Sequence, residues 1–362
     1  MWNRMNRNVL RVLAILGCVF LALRGPQASA QQPMSGATSQ LSDLGEPLSP
    51  IPEDAETMEY AEADYGGLAL PADCGLGCYP SWYVQGEMLY LKRADNGPLS
   101  MSMAYELPDF DYEEGLRVTV GHRRDCSEGW EVSYVGPLQW ETAGEASGFP
   151  LDSYFSVPGG DVDISAFNQA EYHRQTFESE LHSFEVNQRF YDWDTMSCLY
   201  GVRYIDLEEK YGFQSLGPLP LAEQGQFNSE VNNRLIGPQC GLDIFYPVGA
   251  SNRLTLIGKT KLGVYANFAE GDVQMVNAGV AQINNSDDEV AFAFQGELGI
   301  QAKLQLTRRL SIQGGYELWY LYGLASANES ALAPLSRSTG RNLECEEDTW
   351  FHGATLGGTF VW

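Results

Sequence analysis

Few residues of this chain have the chemistry that catalysis needs. Only four of its 362 residues are histidine, at positions 122, 173, 182 and 352. His173 lies beside Glu171 and near further acids, so the two could form the acid and histidine pair of a hydrolase. No nucleophile elbow, phosphate loop or zinc-protease motif is present. We therefore predict no catalytic residues, no cofactor and no enzymatic activity, with a hydrolase as the less favoured alternative.

Carboxylates form the second reactive group, and they gather where we expect long loops. The four clusters are Asp109, Asp111, Glu113 and Glu114; Asp152, Asp161 and Asp163; Asp287, Asp288 and Glu289; and Glu344, Glu346, Glu347 and Asp348. Clustered carboxylates suit calcium, which takes six to eight oxygen ligands, but no cluster has the spacing of a calcium-binding loop. We expect solvated charge and no metal site within the chain. Divalent cations bridging the loops to neighbouring surface molecules are the alternative.

The cysteines are the third group. Six remain beyond residue 30, and an even number in an exported chain favours disulfides. We expect Cys74 to pair with Cys78 and Cys126 with Cys198, and we assign no partner to Cys240 or Cys345. Cys74 and Cys78 alone are a weak zinc signal because zinc needs four ligands.

The first thirty residues resemble an export signal. Arg4, Arg7 and Arg11 precede the apolar run 12–23, and small residues at 28–30 suit cleavage before Gln31. Acylation of Cys18 as a lipoprotein is the alternative. The apolar run is too short for a comfortable membrane-spanning helix.

Residues 31–80 form an acidic segment with nine acids, no lysine or arginine, and frequent proline. Low hydrophobicity with high net charge predicts a disordered periplasmic segment. The formal charge of −26 becomes −30 once the four arginines of the signal are removed. Such a charge repels phosphate backbones, so we expect no nucleic-acid partner.

From Trp82 to Trp362 the chain alternates apolar and polar residues in about ten stretches, with twelve as the alternative count. The expected strands are 81–91, 115–121, 130–140, 177–190, 197–208, 230–246, 253–268, 290–305, 310–322 and 349–362. In the third stretch we expect Trp130, Leu138 and Trp140 on one face, with Gln139 and Glu141 on the other. Ten residues of tilted strand span roughly 25 Å, the height of the apolar band of a membrane barrel.

The connections alternate between short turns and long loops. Short turns are expected at 122–128, 191–196, 247–252 and 307–309, and long loops at the other five connections. Bacterial outer-membrane barrels combine an even strand number with short periplasmic turns and long outer loops. The sequence therefore predicts an all-β, closed, antiparallel up-and-down barrel over 81–362. We expect this barrel to lie in the outer membrane with both chain termini in the periplasm.

Aromatic residues gather at the strand ends, where a barrel meets the two membrane interfaces. We assign this girdle to Trp82, Trp130, Trp140, Tyr320, Tyr322, Phe360 and Trp362. Leu356, Phe360 and Trp362 share one face of the last strand. A terminal aromatic is the usual insertion signal of such barrels, so the expected partners are outer-membrane lipid and the barrel-insertion machinery.

The polar face of the strands would line the lumen. It carries six acids and six bases, namely Glu87, Arg117, Glu131, Glu185, Arg189, Arg203, Asp243, Lys259, Lys261, Glu297, Lys303 and Glu317. Barrels of about eight strands are filled by side chains, and aqueous channels appear near sixteen. A ten-stranded barrel with balanced charge is therefore more consistent with a lumen plugged by ion pairs than with an open one. A narrow pore is the alternative.

Several segments resemble one bacterial family. They are Trp82-Tyr-Val-Gln-Gly-Glu-Met-Leu-Tyr-Leu, Gly115-Leu-Arg-Val-Thr-Val-Gly, Ser179-Glu-Leu-His, Gly201-Val-Arg-Tyr, Asn233 with Gly237-Pro-Gln, Gly314-Gly-Tyr-Glu-Leu-Trp-Tyr-Leu-Tyr-Gly-Leu and Phe351-His-Gly-Ala-Thr-Leu-Gly-Gly. They are similar to the beta-barrel porin family of planctomycete bacteria that carries the series number seven. The resemblance covers most of the chain from Cys74 onward. It implies an outer-membrane barrel of the porin type. Together with the lumen charges, we predict a porin or a narrow or plugged channel, with a structural or surface-interaction barrel as the alternative.

Overall fold

The computed structural model describes residues 80–94, 100–125, 127–193, 195–217, 224–249, 253–332 and 334–362. All of them belong to one unit, Asp64–Trp362. The expected signal peptide, the acidic segment up to residue 79, and the cysteines at 74, 78 and 126 lie outside the described residues. Both expected disulfides therefore include residues that the structure does not describe. No disulfide joins any two of the described cysteines.

Ten strands account for most of the described chain. They are β1 (Ser81–Ala94), β2 (Tyr112–Arg123), β3 (Glu128–Leu151), β4 (Ala170–Trp193), β5 (Met196–Leu216), β6 (Gln224–Val248), β7 (Leu254–Asn277), β8 (Val280–Gln305), β9 (Leu310–Leu324) and β10 (Glu347–Val361). Two short helices lie in the connections, a 3₁₀ turn at Ser165–Phe167 and α1 at Glu329–Leu332. In the part of the chain that the structure describes, no helix combines the length and apolarity needed to cross a membrane.

The strands close into a single antiparallel ring in which each strand pairs with its neighbours in sequence. The first and last strands complete it, and Trp82 and Trp362 exchange backbone hydrogen bonds of 3.0 and 2.9 Å. At the level where all ten strands pair, closure leaves no strand edge unpaired, which a bilayer interior requires because lipid offers no hydrogen-bond partners. The prediction of an all-β, ten-stranded, closed up-and-down barrel is confirmed.

Side chains alternate between the outside and the inside of the ring, as the two-residue period of a strand dictates. The outer face carries exposed apolar residues, among them Leu298 and Ile300 of β8 and Leu356 of β10. The inner face of the same strands carries buried polar residues such as Glu297 and Gln301. A soluble protein has the opposite polarity, so this ring is built for a lipid surrounding.

The strands are longer than the sequence suggested, and unequally so. Strands β3 to β8 have 21 to 26 residues, whereas β1, β2, β9 and β10 have 12 to 15. A tilted strand of about 24 residues rises roughly 60 Å, more than twice the apolar band. One side of the barrel wall therefore extends far beyond the membrane at the end where the long loops lie.

This extension corrects two expectations about the loops. The prediction of a fourth long loop is wrong, because Ala278 and Gly279 alone join β7 to β8 in a tight turn with positive φ at both residues. The acids placed in loops are also partly wrong, since several lie within strands. These are Glu113, Glu114, Asp287, Asp288, Glu289, Glu347 and Asp348.

The third strand corrects a further expectation. The pairing of β3 with β4 shifts between Val135 and Leu138, which marks a β-bulge at Gly136 and Pro137. An extra residue in one strand exchanges its inner and outer faces beyond that point. Trp130 consequently faces outward as expected, but Leu138 and Trp140 are buried inside the ring and the acid Glu141 is exposed outside.

Candidate functional site

The interior of the barrel has two distinct halves. We call the half near the short turns the turn half and the half near the long loops the loop half. The change occurs within single strands: in β1 the inward residue Glu87 is followed by inward Leu89 and Leu91. Trp319 of β9 lies at the boundary, with its ring 5.6 and 5.8 Å from the guanidinium carbons of Arg117 and Arg203.

The structure places all twelve predicted lumen charges on the inward face of the ring, in or next to the turn half. Most are buried, including Glu87, Glu131, Glu185, Arg203, Asp243 and Glu317. Alternation along strands explains why the sequence located them, since each follows the polar face of a stretch whose other face is apolar.

Ion pairs link these charges across the ring. Arg117 donates to Glu317 at 2.7 and 2.9 Å and to Glu87 at 3.0 Å, so one guanidinium holds two carboxylates. Arg189 does the same with Glu131 at 2.5 Å and Asp243 at 2.7 Å. Each arginine thus joins a neighbouring strand to one that does not follow it in sequence, β1 and β9 for Arg117 and β3 and β6 for Arg189. These contacts therefore cross-brace the wall as well as compensating charge.

Two further pairs complete the network. Lys261 binds both carboxylate oxygens of Glu185 at 2.7 and 2.9 Å. Arg203 binds Glu297, and its Nε donates to Ser183 at 2.7 Å. Among the described residues no ion pair is formed by Lys259 or Lys303. These two lysines balance the surplus carboxylates that Arg117 and Arg189 hold, so the turn half is neutral only as a whole.

A cavity of about 70 Å³ lies within this network. Its lining includes Arg117, Arg189, Lys259 and Trp319 together with all six lumen acids. Such a volume holds a few water molecules, which suit a polar lining. The turn half therefore contains a small hydrated chamber.

The loop half is packed with apolar side chains. Inward residues of the long strands, such as Phe177, Phe213 and Phe227, are fully buried there. Residues from three loops fill the space between them. These are Met101, Leu107 and Phe110; Phe155, Val162 and Phe167; and Ala325, Ala327, Ala331 and Leu335. Interiors of this kind are close-packed.

A cluster of four phenylalanines shows how tightly the second loop is inserted. The ring of Phe155 lies 5.0 Å from Phe167, 5.6 Å from Phe213 and 5.4 Å from Phe227. The 3₁₀ turn around Phe167 is held by strand side chains, because Asn277 accepts from the Ala166 N–H at 2.9 Å. The loop is thus part of the interior core rather than a flexible cover.

The first loop is fixed by polar contacts to the wall. Thr142 of β3 donates to the Pro108 carbonyl at 2.7 Å, and the Met101 N–H donates to the side chain of Gln175 in β4 at 3.1 Å. Ser102 also forms an isolated β-bridge with Ser153 of the second loop. The two loops therefore support each other inside the open side of the long wall.

Side chains of the wall hold the start of the fifth loop. Asn233 binds both the N–H and the carbonyl of Ala325 at 2.8 Å, and Asn267 donates to the Gly323 carbonyl at 3.0 Å. Glu209 accepts from Ser326 at 2.8 Å and from the Ala327 N–H at 3.1 Å. This loop is clamped where it enters the barrel.

Some loop acids act as hydrogen-bond acceptors for neighbouring loop backbone. Asp161 accepts from the Arg337 N–H at 3.1 Å, and Asp287 accepts from the Leu343 N–H at 3.0 Å. Asp163 accepts from the Ser165 N–H at 2.9 Å, which lowers the pKa of its carboxyl group. These acids stabilise the closure of the loop half, so they are not all freely solvated charge. No group of potential metal ligands occurs within the described ranges.

The sequence did not identify the ion pair between Arg93 and Glu209. It is buried in the apolar half, with a nitrogen to oxygen distance of 2.6 Å. Arg93 also donates to Ser179 at 2.5 Å and lies over the rings of Phe110 and Phe177. Arg93 follows the inward residues of β1 at the same two-residue spacing, and this pattern could have identified it. The expected strand ended at residue 91, so Arg93 was left out.

His173 does not form the hydrolase site that its neighbours suggested. Its Nδ1 lies 2.9 Å from the hydroxyl of Ser102, and both side chains are buried within the loop half. Burial lowers the pKa of the imidazole, which keeps it neutral. A nucleophile must reach its substrate, and this hydroxyl is sealed by packed loops. The pair therefore serves to attach the first loop to β4.

Glu329 is the most perturbed carboxyl group of the loop closure. Burial, followed by repulsion from Glu347, Glu344 and Glu346, raises its pKa to about 7. The same surroundings raise the pKa of the Cys345 thiol to about 11, mainly through burial. A thiol of this kind remains protonated and unreactive at neutral pH.

The expected aromatic girdle is placed on the outer face, apart from Trp140. Trp82 and Trp130 are in edge-to-face contact at 5.4 Å near the short turns, where Phe360 and Trp362 are also exposed. Tyr320 and Tyr322 face outward toward the loop end, and Tyr320 packs on Trp350 at 4.4 Å. The assignment of Trp140 to the girdle is wrong, because the β-bulge in β3 turns this side chain inward.

Comparison with known proteins found similarity in structure only. No protein-family model matches the chain, and no curated protein matches its sequence. Among solved structures, the outer membrane protease OmpT of Escherichia coli has 10% identity and a TM-score of 0.37, covering 78% of this chain and 97% of that chain. A major outer membrane protein of Thermus thermophilus has 10% identity and a TM-score of 0.30, covering 78% and 99%. The attachment invasion locus protein Ail of Yersinia pestis has 10% identity and a TM-score of 0.26, covering 78% and 98%.

The architecture itself identifies the class of protein. Ten antiparallel strands close completely, present apolar side chains outward, and enclose charged residues at the level of the apolar band. That combination is the signature of a transmembrane β-barrel of the bacterial outer-membrane type.

Proposed function

We propose that this protein is a closed outer-membrane barrel that displays a folded, acidic surface and does not conduct solutes. The observation that carries this proposal is the apolar loop half, in which residues from three loops fill the interior. A solute that entered the hydrated chamber of the turn half would meet close-packed side chains beyond Trp319. The structural or surface-interaction barrel is thus favoured over the porin or narrow channel, and the protein is not an enzyme.

Conductance of the purified, folded protein in planar bilayers tests the proposal. We expect no unitary steps at several ionic strengths, while a porin of known conductance gives them under the same conditions. Reproducible steps from this protein would show a continuous aqueous path and overturn the proposal. Folding is checked in the same sample by heat-dependent migration in gels.

The orientation belongs to the same proposal. Short turns at one end and loops at the other favour the turn end, with both chain termini, on the periplasmic side. An export signal at 1–30, a disordered acidic segment at 31–80, and insertion through the C-terminal strand fit this orientation. The resemblance to the planctomycete family agrees with the barrel, and membership of that family is part of the proposal.

Cation bridging at the loop end is a separate and weaker proposal. Acids such as Asp109 and Asp152 remain exposed there. Divalent cations could join them to neighbouring surface molecules, as carboxylate oxygens are good calcium ligands. A melting temperature that chelation leaves unchanged would contradict this proposal.

A further inference from the structure

Cations are concentrated at the turn end of this acidic protein. Arg253 ends the turn between β6 and β7, Arg308 and Arg309 form the turn between β8 and β9, and Arg124 lies between β2 and β3. All four side chains are exposed. The sequence around the first two turns, 247–256 and 302–312, contains no acid. A protein with a formal charge of −26 thus carries a local positive surface.

Backbone contacts make these arginines neighbours along the rim. The Gln305 N–H at the end of β8 donates to the Arg253 carbonyl at 2.8 Å. The Val361 N–H near the end of β10 donates to the Arg309 carbonyl at 2.9 Å. The two turns therefore lie on either side of the turn end of β8. The second turn also lies beside the end of β10, where the barrel closes at Trp362.

Two arginines of this rim lack a charged partner in the described part of the protein. Arg253 and Arg309 form no ion pair among the described residues. Arg124 contacts Glu128 only at the 4.0 Å limit, with most of its side chain in solvent. Asp125, the other acid of that turn, accepts three hydrogen bonds from Ser127 and Glu128, so its oxygens are occupied locally. The guanidinium groups of Arg253 and Arg309 are therefore available to an external anion.

The neighbours of the rim place it at the membrane interface. Exposed apolar residues lie directly beside the arginines on the outer face, namely Leu304, Leu306, Leu310, Phe360 and Trp362. Tryptophan and other aromatics mark the headgroup level in membrane barrels. A charged group located there meets lipid phosphates, for which the arginine guanidinium is a bidentate partner.

We propose that Arg253 and Arg309 form a binding surface for the phosphate groups of anionic phospholipids in the leaflet at the turn end. This assignment to the periplasmic leaflet rests on the proposed orientation of the barrel. The surface anchors that end of the barrel in register with the headgroups, while the acidic loop end repels anionic lipid. The protein is therefore electrostatically polarised across the membrane.

Native mass spectrometry of the detergent-solubilised protein tests this proposal with two probes, phosphatidylglycerol and phosphatidylcholine of equal chain length. Each arginine near an anionic surface contributes roughly a fivefold gain in affinity. We expect the unmodified protein to retain phosphatidylglycerol at least about tenfold better than phosphatidylcholine. The variant R253Q/R309Q should lose that preference, whereas R253K/R309K should keep most of it.

A matched control removes two positive charges from the other end. R174Q/R234Q lowers the net charge equally and should leave the preference intact. Equal loss in this control, or an unchanged preference in R253Q/R309Q, would overturn the proposal. Selective retention of phosphorylated outer-leaflet glycolipid through the same arginines would overturn the assignment to the periplasmic leaflet. None of these outcomes depends on whether the barrel conducts.

Discussion

The two halves of the barrel interior solve the same problem in different ways. In the turn half, carboxylates and guanidinium groups compensate one another around a hydrated chamber. In the loop half, apolar strand residues are covered by loops that fold inward. The turn half lies within the apolar band, where the ring supplies all its own hydrogen bonds. The difference teaches that the loop half folds as a soluble core mounted on a membrane barrel.

Removing a packed side chain from the loop half should have the largest effect on stability and tests whether this half folds as a soluble core. Phe213→Ala deletes a buried ring at the centre of the phenylalanine cluster. We expect a loss of about 4 kcal/mol in the free energy of unfolding, from lost burial and the cavity that remains. Phe184→Ala is the matched control, since this ring faces outward and is exposed. Equal losses in reversible unfolding of the two variants would contradict a soluble-type core.

In the turn half, charge compensation takes the place of packing. Arg117→Gln leaves Glu87 and Glu317 without their shared partner. We expect a loss of about 3 kcal/mol, because an uncompensated buried charge is costly and the adjoining chamber offers only partial hydration. Lys92→Gln, at an exposed ion pair with Asp109, should cost less than about 1 kcal/mol. Chemical denaturation in matched micelles measures both.

Glu209 sharpens the comparison because it is a charged residue in the apolar half. Glu209→Ala removes an ion-pair partner of Arg93 and the one carboxylate oxygen that accepts two hydrogen bonds from the fifth loop. We expect a loss of about 2 to 3 kcal/mol, the scale of hydrogen bonds to a charged group. Hydrogen exchange should accelerate at Ser326 and Ala327 before it does in the strands of the turn half. Uniform acceleration throughout the barrel would show that the loop is not separately anchored.

The smallest effect concerns the pH dependence of the loop closure. Since the pKa of Glu329 is raised from 4.5 to about 7, the folded state holds a proton that the unfolded state has released. Stability contributed by this group should fall as pH rises from about 4.5 and level off above about 7. The side chain is half exposed, so we expect less than about 1 kcal/mol. Hydrogen exchange of 325–346 at pH 5 and pH 8 measures it.

Glu329→Gln supplies the control for that measurement. The variant removes the titrating group and should abolish most of the pH dependence of exchange in 325–346. Glu113→Gln changes an acid on β2, away from this cluster, and should leave the dependence unchanged. A pH profile that Glu329→Gln does not alter would assign the effect to another group.

Much of the turn half could be read from the sequence. The twelve lumen charges follow strict alternation with residues such as Leu298 and Ile300, and lipid on one side with a polar interior on the other gives that alternation strong contrast. The loop half gives no such contrast. Its strands have apolar residues inside and acids outside, which is the pattern of a water-facing sheet. The predicted strands therefore ended too early.

The face of Trp140 depended on one extra residue. Gly136 and Pro137 within a strand are a sequence signal for a bulge, since proline cannot donate a ladder hydrogen bond and glycine tolerates its positive φ. If Gly136 is treated as an ordinary strand residue, the alternation of inward and outward side chains continues unchanged. That alternation places Trp140 on the lipid-facing side. The acids at 287–289 were misplaced because the turn at Ala278 and Gly279 was not recognised.

The sequence by itself determined the number of strands, the short turns at one end of the barrel, and the inward charges at membrane level. Each of these follows from residue type and a two-residue period. Only the tertiary structure decided which charges pair, where β3 changes face, and that three loops fold into the barrel. Those features depend on contacts between distant residues, such as Arg117 with Glu317 and Glu209 with Ser326. Local patterns do not encode such contacts, because the same apolar residue can be buried by lipid or by a loop.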